Sequence, residues 1–310
     1  MSDLEMATTT ELPPPTVADQ PTSAPRSRSL AGDAWYDLRR NWVFWVASAL
    51  VVLVILMAVA PGLFSSADPT ACTTRRQFAS PSGGALFGYD FQGCDVFSRT
   101  VHGARASVLV GVFAVLITGV IGLTVGMLAG YFGGWIDALL SRVVDIVLGI
   151  PLLLAAIVLS KRLAVDRQGS GIATVVVVLG ILGWTTAARV MRSSVLAARG
   201  QDYVAAARML GAGPWRIMWR HILPNALAPF VVVLTIALGT FIATEATLSF
   251  LNIGLRPPAI SWGIDIATAG KHVREAALPL IAPSIFLTLT VLAFIMLGDA
   301  IRDAFDPKLR

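Results

Sequence analysis

Charge is scarce in this 310-residue chain: 14% of its residues are Asp, Glu, Lys or Arg, where a soluble domain carries about 25%. Hydrophobic residues make up 55% and the mean hydropathy is +0.73. That balance excludes an ordinary soluble domain and points to the bilayer as solvent. The formal net charge of +5 does not indicate nucleic acid, because the basic residues sit between apolar runs and form no single patch.

Cysteine and histidine are also rare. Cys72 and Cys94 are the only cysteines, with no Cys-x-x-Cys spacing, and His102, His221 and His272 are widely spread. Neither set makes a metal framework from this chain alone. The two external histidines, His102 and His272, read as ordinary solvated side chains. Lysine occurs at Lys161, Lys271 and Lys308. Only Lys271 follows a glycine, Gly270. Asp265 and His272 occupy the positions where a phosphate-cradling loop needs glycine and Ser or Thr. ATP chemistry is therefore expected on another chain.

A cleavable leader is not evident. Residues 1–34 are rich in Pro, Ser and Thr and read as a disordered cytoplasmic tail. A short basic amphipathic segment follows at about Trp35–Trp42. The first apolar run ends in Ala58-Val59-Ala60, which resembles a cleavage site, but it is longer than the roughly 7–15 residues of a signal core. It reads as an uncleaved span.

What is present is an all-α polytopic pattern with six expected spans: about Trp42–Leu63, Ser107–Tyr131, Ile136–Ser160, Ile172–Met191, Leu227–Phe250 and Pro279–Ile301. Together they make residues 35–310 one transmembrane domain. Arg192, Arg199, Arg208, Arg216 and Arg220 crowd the segment after the fourth span, which places that segment and both termini in the cytoplasm. Residues 65–106 and 251–278 then lie outside. No internal repeat is visible.

Gly119, Gly122, Gly126 and Gly130 share one face of the second span. Small residues so spaced let helices approach closely in a membrane. Packing within this chain and packing on a partner chain both fit.

Within the cytoplasmic segment 192–226, Gln201–Pro224 parses into two short helices. Tyr203, Ala206, Ala207 and Leu210 share one face, and Gly211 and Gly213 end that helix. Pro214 suits the start of the next helix, in which Trp215, Met218, Trp219 and Ile222 form a stripe with Arg216 and Arg220 off it. Pro224 closes the unit. Physics alone leaves two readings open: a helix pair lying in the headgroups, or a docking knob for a partner.

The spacing of Ala206-Ala207, Gly211 and Leu223-Pro224 resembles the Glu-Ala-Ala loop of ABC importer permeases, and His221-Ile222-Leu223-Pro224-Asn225 looks like its form in dipeptide and oligopeptide permeases. Other runs fit the same family in order: Gly103-Ala104-Arg105-Ala106-Ser107, Ala129-Gly130-Tyr131-Phe132-Gly133-Gly134, Ala246-Thr247-Leu248-Ser249-Phe250-Leu251, Ser261-Trp262-Gly263 and Gly298-Asp299-Ala300-Ile301-Arg302. The chain is thus similar, over about 270 residues, to the C-type subunit of the dipeptide/oligopeptide/nickel permeases. One departure stands out: Ala205 occupies the position of the motif glutamate, and Asp202 or the arginines are candidates to replace it.

The resemblance implies a type I importer permease fold in a bacterial inner membrane. It implies a B-type permease beside this chain, ATPase subunits docked on the loop, and an extracytoplasmic solute-binding protein received by segments such as Pro257–Gly263. ATP and Mg²⁺ would reside on the ATPase, with no cofactor in this chain. Peptides are the expected cargo, with nickel chelates or haem as alternatives.

Asp145, Glu245 and Asp299 fall in or near spans, where charge is costly. Interhelical hydrogen bonds or helix-end positions explain them, though Asp145 and Asp299 also suggest an intramembrane aspartyl protease as a remote rival. A secondary transporter, the other rival, would show repeats and interrupted helices. Cys72 and Cys94 share an external segment, which permits a disulfide; two free thiols are the alternative. Closing that loop would contribute roughly 3 kcal/mol in the entropy treatment. Cys94 stands where the resembled family has arginine.

Overall fold

A computed structural model describes residues 30–163 and 171–305. Most of the expected N-terminal tail therefore lies outside the described residues. Its last part does not: helix α1 (Leu30–Leu38) begins inside the stretch read as tail. The remaining helices are α2 (Trp42–Val59), α3 (Val96–Phe132), α4 (Gly134–Leu148), α5 (Leu152–Leu163), α6 (Ile172–Arg199), α7 (Asp202–Met209), α8 (Pro214–Ile217), α9 (Leu223–Phe250), α10 (Trp262–Ala269) and α11 (Leu278–Phe305).

Five helical stretches are long and apolar enough to cross a membrane: α2, α3, α6, the run Pro214–Phe250 and α11. The expected third span is a correction. It is not one helix but α4 and α5, bent by 89°. The cause lies in Gly149-Ile150-Pro151: proline has no N–H to give the helix, and its ring drives the preceding residue out of helical geometry. The pair makes the sixth membrane element if counted as one.

Other boundaries also move. Helix α3 starts well before Ser107, at Val96, because Asp95 caps it by accepting from the N–H groups of Phe97 and Ser98 at 2.9 and 3.3 Å. Its 37 residues extend about 55 Å at 1.5 Å each, well beyond a hydrocarbon core of about 30 Å. Helix α6 likewise runs on to Arg199.

The bundle is organised on the contact of α3 with α6. The glycine stripe faces this chain's own helices, which settles its partner. A Cβ on Gly122 would sit 2.8 Å from Ala187 Cβ; on Gly126, 2.6 Å from Ala188 O and Met191 Cβ; on Gly130, 2.8 Å from Val195 Cβ. Gly119 packs instead under Leu234 of α9. Helix α6 returns the contact through Gly180, which meets Ile117. Helix α2 joins α3 and α11 through a cluster including Val54, Met57, Val101, Val108, Ala293 and Phe294. Away from these seams, large apolar side chains such as Leu53, Leu56, Phe113, Leu116, Ile285 and Leu289 are exposed on the outside of the bundle. That is the surface lipid would cover.

One end of the bundle is capped by residues 60–95 and 251–277. Here Cys72 and Cys94 are joined by a disulfide. The same loop passes Gly93, with φ +74° and the Thr73 carbonyl pressed against it, so no side chain fits there. The opposite end carries α7 and α8.

Gly126→Val should push α3 off α6 and destabilise the protein by on the order of 3 kcal/mol. Gly83→Ala, with nothing within 4 Å, should be silent. Thermal unfolding of the two purified variants checks this, and equal midpoints would remove the seam from its central place.

Candidate functional site

Two features stand out: the α7–α8 unit at one end and an ion-paired cavity at the other. Helix α7 ends as its glycine demands. Gly211 has φ +79°, its N–H donates to Arg208 O, and Ala212 N–H donates to Ala207 O, both at 3.0 Å. This crossed pair satisfies carbonyls that a helix end leaves bare. Pro214 then occupies the first turn of α8, where no N–H is needed.

The buried face differs from the one expected. In α7 the buried residues are Val204 and Ala207; Tyr203, Ala206 and Leu210 point away from the protein. In the second helix Ile217, Met218 and Ile222 are buried, while Trp215 and Trp219 are exposed. A π-helical turn over Met218–Ile222 is the reason. With i→i+5 hydrogen bonds and a wider turn than the α-helix, Ile217 and Ile222 fall on one side, and Trp219 rotates off the stripe. Pro224 does not close the unit either. It lies in the first turn of α9, and the chain continues helically from Pro214 to Phe250. The Asn225 side chain donates to His221 O at 2.8 Å, across that proline.

The inner side of the unit is set into the bundle. Ile217, Met218 and Ile222 join Met127, Tyr131, Met191 and Val195 in one core. Arg208 lies over the Tyr131 ring at 6.0 Å, a cation–π distance. The outer side carries a run of bare apolar surface: Leu210 is 88% exposed, Met209 83%, Trp215 63% and Trp219 55%. Asp202, Ala205, Arg216 and Arg220 are exposed around it, and among the described residues Arg216 and Arg220 make no ion pair. Both open readings are sharpened: the apolar residues form an outward surface rather than an inner stripe, and their backbone is rigidly seated.

At the other end a cavity of about 360 Å³ lies under the disulfide loop, between Phe78, Phe91, Arg99, Pro257, Asp265 and His272. Arg99 Nη2 donates to Asp265 Oδ1 at 2.5 Å, and Asp90 Oδ2 lies 3.8 Å from Arg99 Nε. Asp90 Oδ1 also accepts from Cys94 N–H at 2.9 Å, so the bonded loop, α3 and α10 share one network. Burial pushes the Asp265 carboxyl up from its ordinary value, and the Arg99 guanidinium offsets part of that push. His272 is not simply solvated: it stacks on Phe91 with centroids 5.0 Å apart. His102 is half-buried, with Nδ1 2.9 Å from Ser98 O. Sequence reading missed the Arg99–Asp265 pair, whose members are 166 residues apart; no local pattern signals it.

The acids near the spans resolve individually. Glu245 is fully buried and accepts hydrogen bonds from Ser107 and Ser249, each 2.8 Å. Asp145 accepts from Arg189 at 2.6 Å, and Asp299 is exposed on α11. Among the described residues no three His, Cys, Asp or Glu side chains gather as a metal site.

A multi-pass helical bundle, broken in its third element and carrying an exposed helix pair on one end, is the architecture of a membrane transport subunit. The chain belongs to the family of binding-protein-dependent transport system inner membrane components, whose family model matches residues 122–310. Residues 29–81 also match the N-terminal transmembrane domain of oligopeptide transport permease C. It is 35% identical over 97% of its length to the dipeptide transport system permease protein DppC of Alkalihalophilus pseudofirmus, covering 99% of that protein. It is 38% identical over 89% of its length to the glutathione transport system permease protein GsiD of Pectobacterium atrosepticum, covering 90% of it. In fold it is similar to a chain of the inward-facing MetNI methionine ABC transporter, with TM-score 0.55 and 24% identity, over 66% of this chain and 95% of that one.

Arg99→Ala should leave Asp265 buried without its partner and cost about 3–5 kcal/mol. Denaturation of the purified protein should show that loss, with a smaller one for Asp265→Asn; indifference to both would make the pair ornamental.

Proposed function

We propose that this chain is one of the two permease subunits of an ATP-driven importer of dipeptides and short oligopeptides, and that α7 and α8 dock a separate cytoplasmic ATPase. The observation that carries the reading is the two-sided build of that unit. Its outer side offers Met209, Leu210, Trp215 and Trp219 to a partner. Its inner side is packed into the bundle and continues as the helix α9. A surface helix adapted to lipid needs only the first property. A coupling element needs both, because force applied outside has to reach a span.

Arg216 and Arg220, exposed beside this apolar patch, suit an acid-bearing groove on the partner. Ala205 leaves the usual acid absent, and Asp202 in the first turn of α7 is the acid nearest in sequence. ATP and Mg²⁺ belong to the ATPase in this reading. A B-type permease completes the path, and a solute-binding protein docks on the end formed by residues 60–95 and 251–277. That orientation puts both termini in the cytoplasm, on the side of the arginine-rich segment. Short peptides are the favoured cargo because relatives are named for dipeptide, oligopeptide and glutathione transport.

The test is uptake of a labelled dipeptide by cells or proteoliposomes carrying the complete importer. Leu210→Asp, and Arg216→Glu with Arg220→Glu, should lower uptake at least about tenfold and reduce recovery of the ATPase with the membrane complex. The permease itself should remain at normal levels, since these side chains are exposed. Unchanged uptake and ATPase recovery would refute the docking role.

A further inference from the structure

The break between α4 and α5 has a consequence for the transport path. Helices α4 and α5 have 15 and 12 residues, about 22 and 18 Å at 1.5 Å each. Neither alone crosses a hydrocarbon core of about 30 Å. Gly149, Ile150 and Pro151 at the break are exposed in this chain. The break also lies at membrane depth. It forms one wall of a cavity of about 540 Å³ whose other walls include Thr118, Thr186 and Ala237. These residues fall near the middles of α3, α6 and α9. Non-helical backbone at that depth is stable only when covered by protein or bathed by a water-filled cavity.

The lining distinguishes the two. Hydroxyls enter the cavity from three helices: Thr118, Thr185, Thr186 and Thr240. Thr118 donates to Gly180 O and Thr240 to Ile236 O. Thr185 and Thr186 differ: among the described residues, neither hydroxyl has a hydrogen-bond partner. Thr185 is 3% exposed, and its unpartnered hydroxyl is not sealed within the protein, so it opens onto the cavity it lines. A hydroxyl opening on a cavity without a protein partner is costly if lipid or an apolar helix face covers it, and satisfied by water or a polar ligand. Among the described residues no charged side chain lines the cavity.

We propose that this cavity is a midmembrane station for the transported molecule, binding the backbone of a short peptide through the Thr185 and Thr186 hydroxyls beside the α4–α5 break. Peptide N–H and C=O groups complement hydroxyls that both donate and accept. The apolar, uncharged walls favour no particular side chain, as a carrier of varied peptides requires. The volume is within the roughly 300–1,000 Å³ of small-molecule sites. This inference rests on the peptide-importer reading above.

The chain offers a clean background for the test, because its two cysteines are bonded to each other. Ile150→Cys and Thr186→Cys are made in the importer assembled with its native partners, with Leu56→Cys on the outer surface of α2 as the lipid-facing control. A charged, membrane-impermeant methanethiosulfonate should label both cavity positions in at least one nucleotide state and spare the control. Saturating dialanine should slow that labelling several-fold. Thr186→Val, which keeps the shape and removes the hydroxyl, should raise the KM for dialanine uptake several-fold at constant ATPase recovery. Normal dipeptide uptake with labelling of Ile150→Cys and Thr186→Cys only by a lipid-soluble maleimide would overturn the station alone. Absence of ATP-dependent dipeptide uptake by the unsubstituted importer would overturn the function beneath it.

Discussion

Backbone-to-backbone contact between α3 and α6 is the constraint on which the remaining architecture is built. Gly122, Gly126 and Gly130 bring the helices so near that a single methyl would meet the opposite main chain or its first carbon. Lipid supplies no hydrophobic force to hold two apolar helices together, so close packing has to do so. The same contact places Met191 and Val195 beside Met127 and Tyr131. Those four side chains form the socket for Ile217, Met218 and Ile222. A seam in the bundle thus determines how firmly an element at its end is held, and the bared tryptophans and Leu210 owe their fixed position to it.

Much of this was legible in the chain, and the failures have identifiable causes. The spans were readable because apolar runs of about 20 residues have few alternatives. Gly211 and Pro214 announced a helix stop and start through their own stereochemistry, and both behave accordingly. The stripe through Trp215 and Trp219 failed because it assumed 3.6 residues per turn, whereas the chain inserts a π turn at Met218–Ile222. Pro224 was read as a terminator, yet the first turn of a helix tolerates proline without penalty. The third span breaks at Gly149-Ile150-Pro151, where hydropathy stays high while geometry bends, so its existence was readable and its break was not. Arg99 and Asp265 were invisible as partners because only the folded chain brings α3 to α10.

The interrupted third element is a feature also expected of secondary transporters. Here it occurs in a chain whose family couples transport to a binding protein. The two classes therefore share a physical device: a helix broken at depth frees main-chain groups where an uninterrupted helix offers only side chains. Glu245 shows the contrasting use of a buried polar group. Its carboxyl is occupied by Ser107 and Ser249 and knits α3 to α9, so it serves cohesion where Thr185 faces open space.

The Cys72–Cys94 bond reaches into biosynthesis. Sulfur atoms oxidise to one another only in a compartment that supplies an oxidant. In the orientation proposed above, the segment bearing them clears the bilayer before its cap closes, and the Asp90 carboxylate then accepts from the Cys94 amide. Under that orientation the bond is a chemical record, written into each molecule, of which end of the bundle was exported.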